Sequence, residues 1–148
     1  KKLDFNGVYN FNPKNNKLSL ITKEIDLPNG VGISPDNKTL YVNKMGLLDG
    51  NPRVISLDLE NNESSVLFDG KELSEIHEGN FDGMAVHSSG NIFTSGPGGL
   101  LVISPEGELM AKIDSGHLTN ATFDNDEGYL YLTGFVSNPK VFRIKIKN

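Results

Sequence analysis

Three side chains that can offer an oxygen to a cation, Asn29, Asp82 and Asn120, stand at equivalent places in a repeated pattern. Asn29 opens Asn29-Gly30-Val31-Gly32-Ile33, followed by Thr39-Leu40-Tyr41-Val42-Asn43. Asp82 opens Asp82-Gly83-Met84-Ala85-Val86, followed by Asn91-Ile92-Phe93-Thr94-Ser95. Asn120 opens Asn120-Ala121-Thr122-Phe123, followed by Tyr129-Leu130-Tyr131-Leu132-Thr133. Each unit is a polar residue, a small residue, an extended run, a tight turn and a second run. Carboxylate and amide oxygens are hard donors suited to calcium, magnesium or manganese. Delivered to one axis by successive units, they would make a hard-cation site. Asn-Gly and Asp-Gly are also ordinary turn dipeptides that start strands, and that reading stands beside the first.

The remaining candidates are weaker. His117 lies three residues before Asn120, where it could bind substrate or relay protons, or simply be an exposed loop histidine. His77 sits among Glu72, Glu75 and Glu78, a cluster that reads as a solvated loop. His87 alternates with core residues on an extended run and reads as structural. Ser95-Gly96-Pro97-Gly98-Gly99 lacks the Lys and the following helix of a phosphate loop and reads as a hairpin turn.

The elements that must position these residues are short β-rich runs separated by Gly, Pro, Asn and Asp turns. The predicted strands are Gly7–Asn12, Lys17–Thr22, Gly30–Ser34, Thr39–Asn43, Arg53–Leu59, Ser64–Phe68, Gly83–His87, Ile92–Ser95, Leu100–Ser104, Leu109–Ile113, Ala121–Asp124, Tyr129–Thr133 and Val141–Ile146. Gly70–His77 carries the only hint of a helical turn and is taken as loop. Between the repeats just described lie strands opened by Gly7-Val8-Tyr9, Arg53-Val54-Ile55, Leu100-Leu101-Val102 and Lys140-Val141-Phe142. Together the units form four-strand blades with a period of roughly 40 to 50 residues, the blade length of a β-propeller. The expected fold is therefore all-β, with residues 1–148 forming one partial propeller domain. It would open with strands three and four of one blade, run through two whole blades, and close with strands one to three of another. An open arc leaves apolar faces and strand edges exposed, so a complementary half or a second copy is expected to close the ring.

Composition narrows the function classes. In 148 residues, 14 basic and 19 acidic side chains give a net charge of -5, with no Lys/Arg cluster to meet a run of phosphates, so no nucleic-acid partner is expected. No apolar run is long enough to span a bilayer, and no membrane partner is expected. The absence of Cys removes thiol nucleophiles, disulfides and zinc-thiolate sites and leaves the compartment open. Lys1-Lys2-Leu3-Asp4 has neither an initiator Met nor a signal-peptide core, which reads as a processed or truncated start.

Residues 27–42, Leu27-Pro28-Asn29-Gly30-Val31-Gly32-Ile33-Ser34-Pro35-Asp36-Asn37-Lys38-Thr39-Leu40-Tyr41-Val42, and residues 81–93, Phe81-Asp82-Gly83-Met84-Ala85-Val86-His87-Ser88-Ser89-Gly90-Asn91-Ile92-Phe93, are specific in combination. With Ser95-Gly96-Pro97-Gly98-Gly99 and Val141-Phe142-Arg143-Ile144 they resemble the gluconolactonase, senescence-marker-protein and luciferin-regenerating-enzyme family. The resemblance spans this chain and about the C-terminal half of the family's six-bladed propeller. It implies a metal-dependent hydrolase acting on a small-molecule lactone. Asn29 then corresponds to a metal-binding asparagine, and Asp82 to a metal-binding aspartate that also serves as general base. The implied cofactor is one divalent ion, calcium first, with zinc, magnesium or manganese as alternatives. The family's metal-binding glutamate and a further channel asparagine fall outside this sequence. Two other readings stay open: an organophosphate-type ester hydrolase using the same site, and a non-enzymatic half-propeller that binds a ligand or protein.

Overall fold

The computed structural model describes residues 3–135 and 140–146. The reading of the N-terminus at Lys1 and Lys2 lies outside the described residues. Thirteen strands and one short helix follow in order: β1 (Val8–Asn12), β2 (Lys17–Thr22), β3 (Pro28–Ile33), β4 (Thr39–Lys44), β5 (Arg53–Asp58), β6 (Ser64–Asp69), α1 (Lys71–Ile76), β7 (Met84–Val86), β8 (Ile92–Gly96), β9 (Gly99–Ile103), β10 (Leu109–Asp114), β11 (Leu118–Phe123), β12 (Tyr129–Gly134) and β13 (Lys140–Lys145). They form four antiparallel sheets of neighbours in sequence: β1-β2, β3-β4-β5-β6, β7-β8-β9-β10 and β11-β12-β13. The two complete four-stranded sheets and the two partial ones are the blades expected from the repeat. Hairpin connections keep each blade local in sequence, because antiparallel neighbours need only a tight turn. Pro97 and Gly98, with Gly98 at φ +84°, form the turn between β8 and β9 that the glycine-rich stretch predicts.

The core lies between blades. Tyr41 and Val54 of the second blade pack with Phe81, Met84, Ile92, Leu101 and Ile103 around the third. Leu100 of the third blade packs with Leu118, Ala121, Leu130 and Leu132 of the fourth. Val8 of the first sheet and Ile25 pack with Val42 and Ile55 of the second. Fully burying each Leu or Ile of these sets is worth about 1.5–3 kcal/mol, more than a typical net hydrogen bond of about 1 kcal/mol. Face-to-face burial therefore holds the blades together, while the ladders fix their register.

The segment read as a loop at Gly70–His77 contains α1 instead. It is a single short helix, with Ser74 N–H donating to Gly70 O at 3.0 Å and His77 N–H to Leu73 O at 2.9 Å. Leu73 tucks against the core between the second and third blades, and this tertiary burial selects the helix where local pattern does not. The inner strands differ from expectation at their ends: β3 starts at Pro28 and β11 at Leu118, so Asn29 and Asn120 lie inside their strands, whereas Asp82 precedes β7.

Candidate functional site

The inner strands stand side by side around one axis, β3 beside β7 and β7 beside β11. Their starts form a mouth at one end of the arc. Glycine permits the close approach. A Cβ on Gly30 would come closer than 3.0 Å to the Asp82 carbonyl and Gly83 Cα, and one on Gly83 would strike Asn120. The space is used for main-chain bonds between blades. Gly30 N–H donates to Asp82 O at 2.8 Å, and Gly83 N–H donates to Thr119 O at 2.8 Å. Gly30 and Gly83, the small residues following Asn29 and Asp82, thus have a physical role, which brings neighbouring mouth residues together.

Asn29 and Asp82 meet there. Gly30 N–H on the Asp82 carbonyl sets Asn29 beside Asp82, and the Asn29 amide donates to Met45 Sδ at 3.2 Å, which leaves the Asn29 carbonyl oxygen to offer. Burial pushes the Asp82 carboxyl above its ordinary value, while the Asn29 side chain and the field of His117 oppose the rise. His117 therefore belongs to the neighbourhood of Asp82. It is exposed, its carbonyl accepts from Phe135 N–H at 2.8 Å, and its ring meets that of Phe135 edge-on at 6.4 Å. Asn120 is exposed, and its Oδ1 accepts from Ala121 N–H at 2.9 Å, a local bond of the kind that starts strands.

The other sequence candidates lie apart from this pair. His77 rests against Gly98 and the Lys112 side chain, and Glu72, Glu75 and Glu78 are exposed. His87 is half-buried at the opposite rim, where Nε2 pairs with Glu127 at 3.2 Å and the ring meets Phe93 and Phe123. It is a structural residue, as the strand alternation suggests.

The sequence reading missed the residues that fix Asp82 from behind. Asp82 N–H donates to Ser95 Oγ at 2.9 Å, and Asn43 Nδ2 donates to Asp82 O at 2.7 Å and to Thr94 Oγ1 at 2.8 Å. Asn43, Thr94 and Ser95 are all buried. The signal for them exists in the repeat: the second strand of each unit ends on a polar residue, Asn43, Ser95 or Thr133.

Beside Asn29 a groove of about 540 Å³ runs between the first sheet and β3, lined chiefly by Val8, Tyr9, Ile21, Val31, Ile33 and Leu40. Val31 and Ile33 are 52% and 47% exposed.

The donors at the mouth are one carboxylate and neighbouring amide oxygens, and no group of three or more His, Asp or Glu suited to a metal occurs among the described residues. Calcium takes six to eight oxygens. The set of oxygens fits part of a hard-cation sphere.

Four-stranded antiparallel sheets that follow one another around an axis define a β-propeller. Residues 1–135 match the SMP-30/gluconolactonase/LRE-like region, and the chain belongs to that family. It is 30% identical over 154 aligned positions to a gluconolactonase of Zymomonas mobilis, covering 99% of this chain and 42% of that protein. A gluconolactonase structure from Xanthomonas campestris superposes with a TM-score of 0.77 at 26% identity, over 90% of this chain and 43% of the other. Regucalcin from Agrobacterium tumefaciens, a calcium-binding protein, shares the fold at a TM-score of 0.69 and 20% identity, over 86% of this chain and 43% of that one. The chain thus spans under half the length of these relatives.

Proposed function

We propose that this chain supplies half of the active centre of a metal-dependent lactonase in a complete six-bladed propeller. The observation that carries the reading is the closeness of Asn29 and Asp82, from neighbouring blades, at the mouth of the arc, where Gly30 N–H donates to the Asp82 carbonyl at 2.8 Å. Asp82 would contribute charge and basicity to one divalent ion, and Asn29 a neutral oxygen. The gluconolactonase relatives favour a lactone substrate, and the calcium-binding relative favours calcium. A bound divalent cation would supply Lewis acidity at the lactone carbonyl. Asp82 would take a proton from the attacking water as the water oxygen bonds to the carbonyl carbon. The bond between the carbonyl carbon and the ring oxygen then breaks, and Asp82 returns the proton to the ring oxygen, which leaves as a hydroxyl while the Asp82 carboxylate is restored. Partial burial raises the basicity of Asp82, which suits that role.

A complementary half would complete the ring, a reading that the length of the relatives, of which this chain covers 42% and 43%, supports. A partner supplying two inner strands to the free edge of β1 would also cover Val31 and Ile33.

The test is hydrolysis of δ-gluconolactone by the complete propeller, with and without a chelator, for the parent and for Asp82→Asn. The substitution keeps an oxygen and removes the charge and the base, so turnover should fall by about 100-fold or more. Parental turnover by Asp82→Asn would refute the proposal and favour a non-enzymatic role.

A further inference from the structure

We infer that Asn43, Thr94 and Ser95 form a buried clamp that positions Asp82 for cation binding. The inference rests on the reading of Asp82 as a ligand and extends it to residues that touch neither cation nor substrate.

The clamp holds the Asp82 backbone from both sides. Its N–H is taken by Ser95 Oγ at 2.9 Å. Its carbonyl receives two donors, Gly30 N–H at 2.8 Å and Asn43 Nδ2 at 2.7 Å. The same Asn43 amide donates to Thr94 Oγ1 at 2.8 Å, and Thr94 Oγ1 donates to Ser95 O at 2.9 Å. Ser95 N–H and Oγ both donate to Gly83 O, at 3.1 and 3.3 Å. Two consecutive peptide units, at Asp82 and Gly83, are thereby tied to β8 of their own blade and to β4 of the preceding one. Asp82 lies outside any strand, so no ladder of its own fixes it.

Burial makes this arrangement costly. Asn43 and Thr94 are 0% exposed and Ser95 is 1% exposed. Asn43 Oδ1 has no hydrogen-bond partner among the described residues. A buried acceptor without a partner is expensive, and a core position of this kind is better filled, for stability alone, by an apolar side chain of similar size. An asparagine here is accounted for by what its amide N–H groups reach. Outer groups that orient a ligand commonly change metal affinity by about 10- to 100-fold when removed.

This separates positioning from scaffolding. Asn43→Leu removes the orphan acceptor together with the bond to the Asp82 carbonyl, which retains Gly30 N–H. It should leave the melting temperature at or near that of the parent while weakening calcium binding by about 10-fold or more. Ser95→Ala removes the acceptor of Asp82 N–H and should weaken binding in the same direction, which keeps the test alive if Asn43→Leu fails to fold. Leu57→Ala, a cavity in the buried face of β5, should lower the melting temperature and leave calcium affinity unchanged. The experiment is calorimetric titration of calcium chloride into the complete propeller for each variant and for Asp82→Asn, with thermal unfolding measured in parallel. Weakened binding by Asn43→Leu or Ser95→Ala without a matching loss in Leu57→Ala supports the clamp. Calcium affinity within twofold of the parent for the folded clamp variants, when Asp82→Asn has lost binding, overturns the clamp and leaves Asp82 a ligand. Parental binding by Asp82→Asn overturns both.

Discussion

The junction between β3–β6 and β7–β10 and the junction between β7–β10 and β11–β13 begin from the same repeat and are held in different ways. At the first, the mouth is crossed by a main-chain bond from Gly30 and by the buried Asn43 amide, both ending on the Asp82 carbonyl. At the second, the mouth is crossed by the main-chain bond from Gly83 to Thr119, and Asn120 turns to its own neighbour. Its polar cross-link lies at the opposite rim. There Ser88 N–H donates to Glu127 Oε1 at 2.8 Å, Ser88 Oγ donates to Glu127 Oε2, and His87 Nε2 pairs with the same carboxylate. The first junction spends its buried polar groups on the backbone of one aspartate. The second places half-buried ones, His87 and Glu127, where they join blades. Position in a repeat therefore makes a residue available for function, and the packing behind it selects which copy is organised.

The largest effect expected from disturbing this contrast is at Gly30. Gly30→Ala drives a Cβ into the Asp82 carbonyl and the Gly83 backbone, neither of which can move aside as a flexible side chain would. Overpacking of this kind costs about 1–3 kcal/mol or more, and thermal unfolding of the complete propeller should show it together with loss of calcium binding. A smaller effect is expected at the other junction. Glu127→Gln should cost roughly 1 kcal/mol in denaturant unfolding and leave calcium affinity unchanged, since it breaks a cross-link distant from the mouth.

Acid should act on that same cross-link. The Ser88 hydroxyl, then the Ser88 backbone N–H and His87, hold the Glu127 carboxyl below its ordinary value of 4.5. A depressed carboxyl contributes stability that is full above 4.5 and fades as pH falls through the lowered folded value. The stability difference between parent and Glu127→Gln should therefore shrink as pH is lowered from 5 toward the acid range of about 3. The smallest effect is expected from Asn120→Ala. It removes a local, exposed hydrogen bond, so unfolding should shift by about 0.5 kcal/mol or less. A loss of calcium binding there as large as that of Asp82→Asn would erase the distinction between the junctions.

Much of this fold can be read from the chain because blades are local objects. Alternation and turn residues mark each strand, and the repeat of Asn29, Asp82 and Asn120 marks each inner strand without reference to distant sequence. What escapes is whatever depends on the neighbouring blade. The helix α1 forms because Leu73 finds cover between two sheets, and nothing in Lys71-Glu72-Leu73 announces that cover. Asn43 stands one residue from the end of β4 as unremarkably as Thr133 does in β12, yet Asn43 is buried and Thr133 exposed. Only the arrival of Asp82 and Thr94 from the next blade separates them. The repeat and the family likeness single out Asn29 and Asp82 as the candidate pair, whereas the place that the repeat alone gives to Asn120 is not matched by its surroundings.

The central claim is that Asn29 and Asp82 hold one divalent ion together. The most direct measurement is anomalous diffraction at the manganese edge from crystals of the complete propeller grown with manganese chloride. The account predicts one strong anomalous peak within bonding distance of both the Asn29 carbonyl oxygen and the Asp82 carboxylate, and its disappearance in Asp82→Asn. A fully occupied peak elsewhere on the axis, or one that persists unchanged in Asp82→Asn, would contradict it.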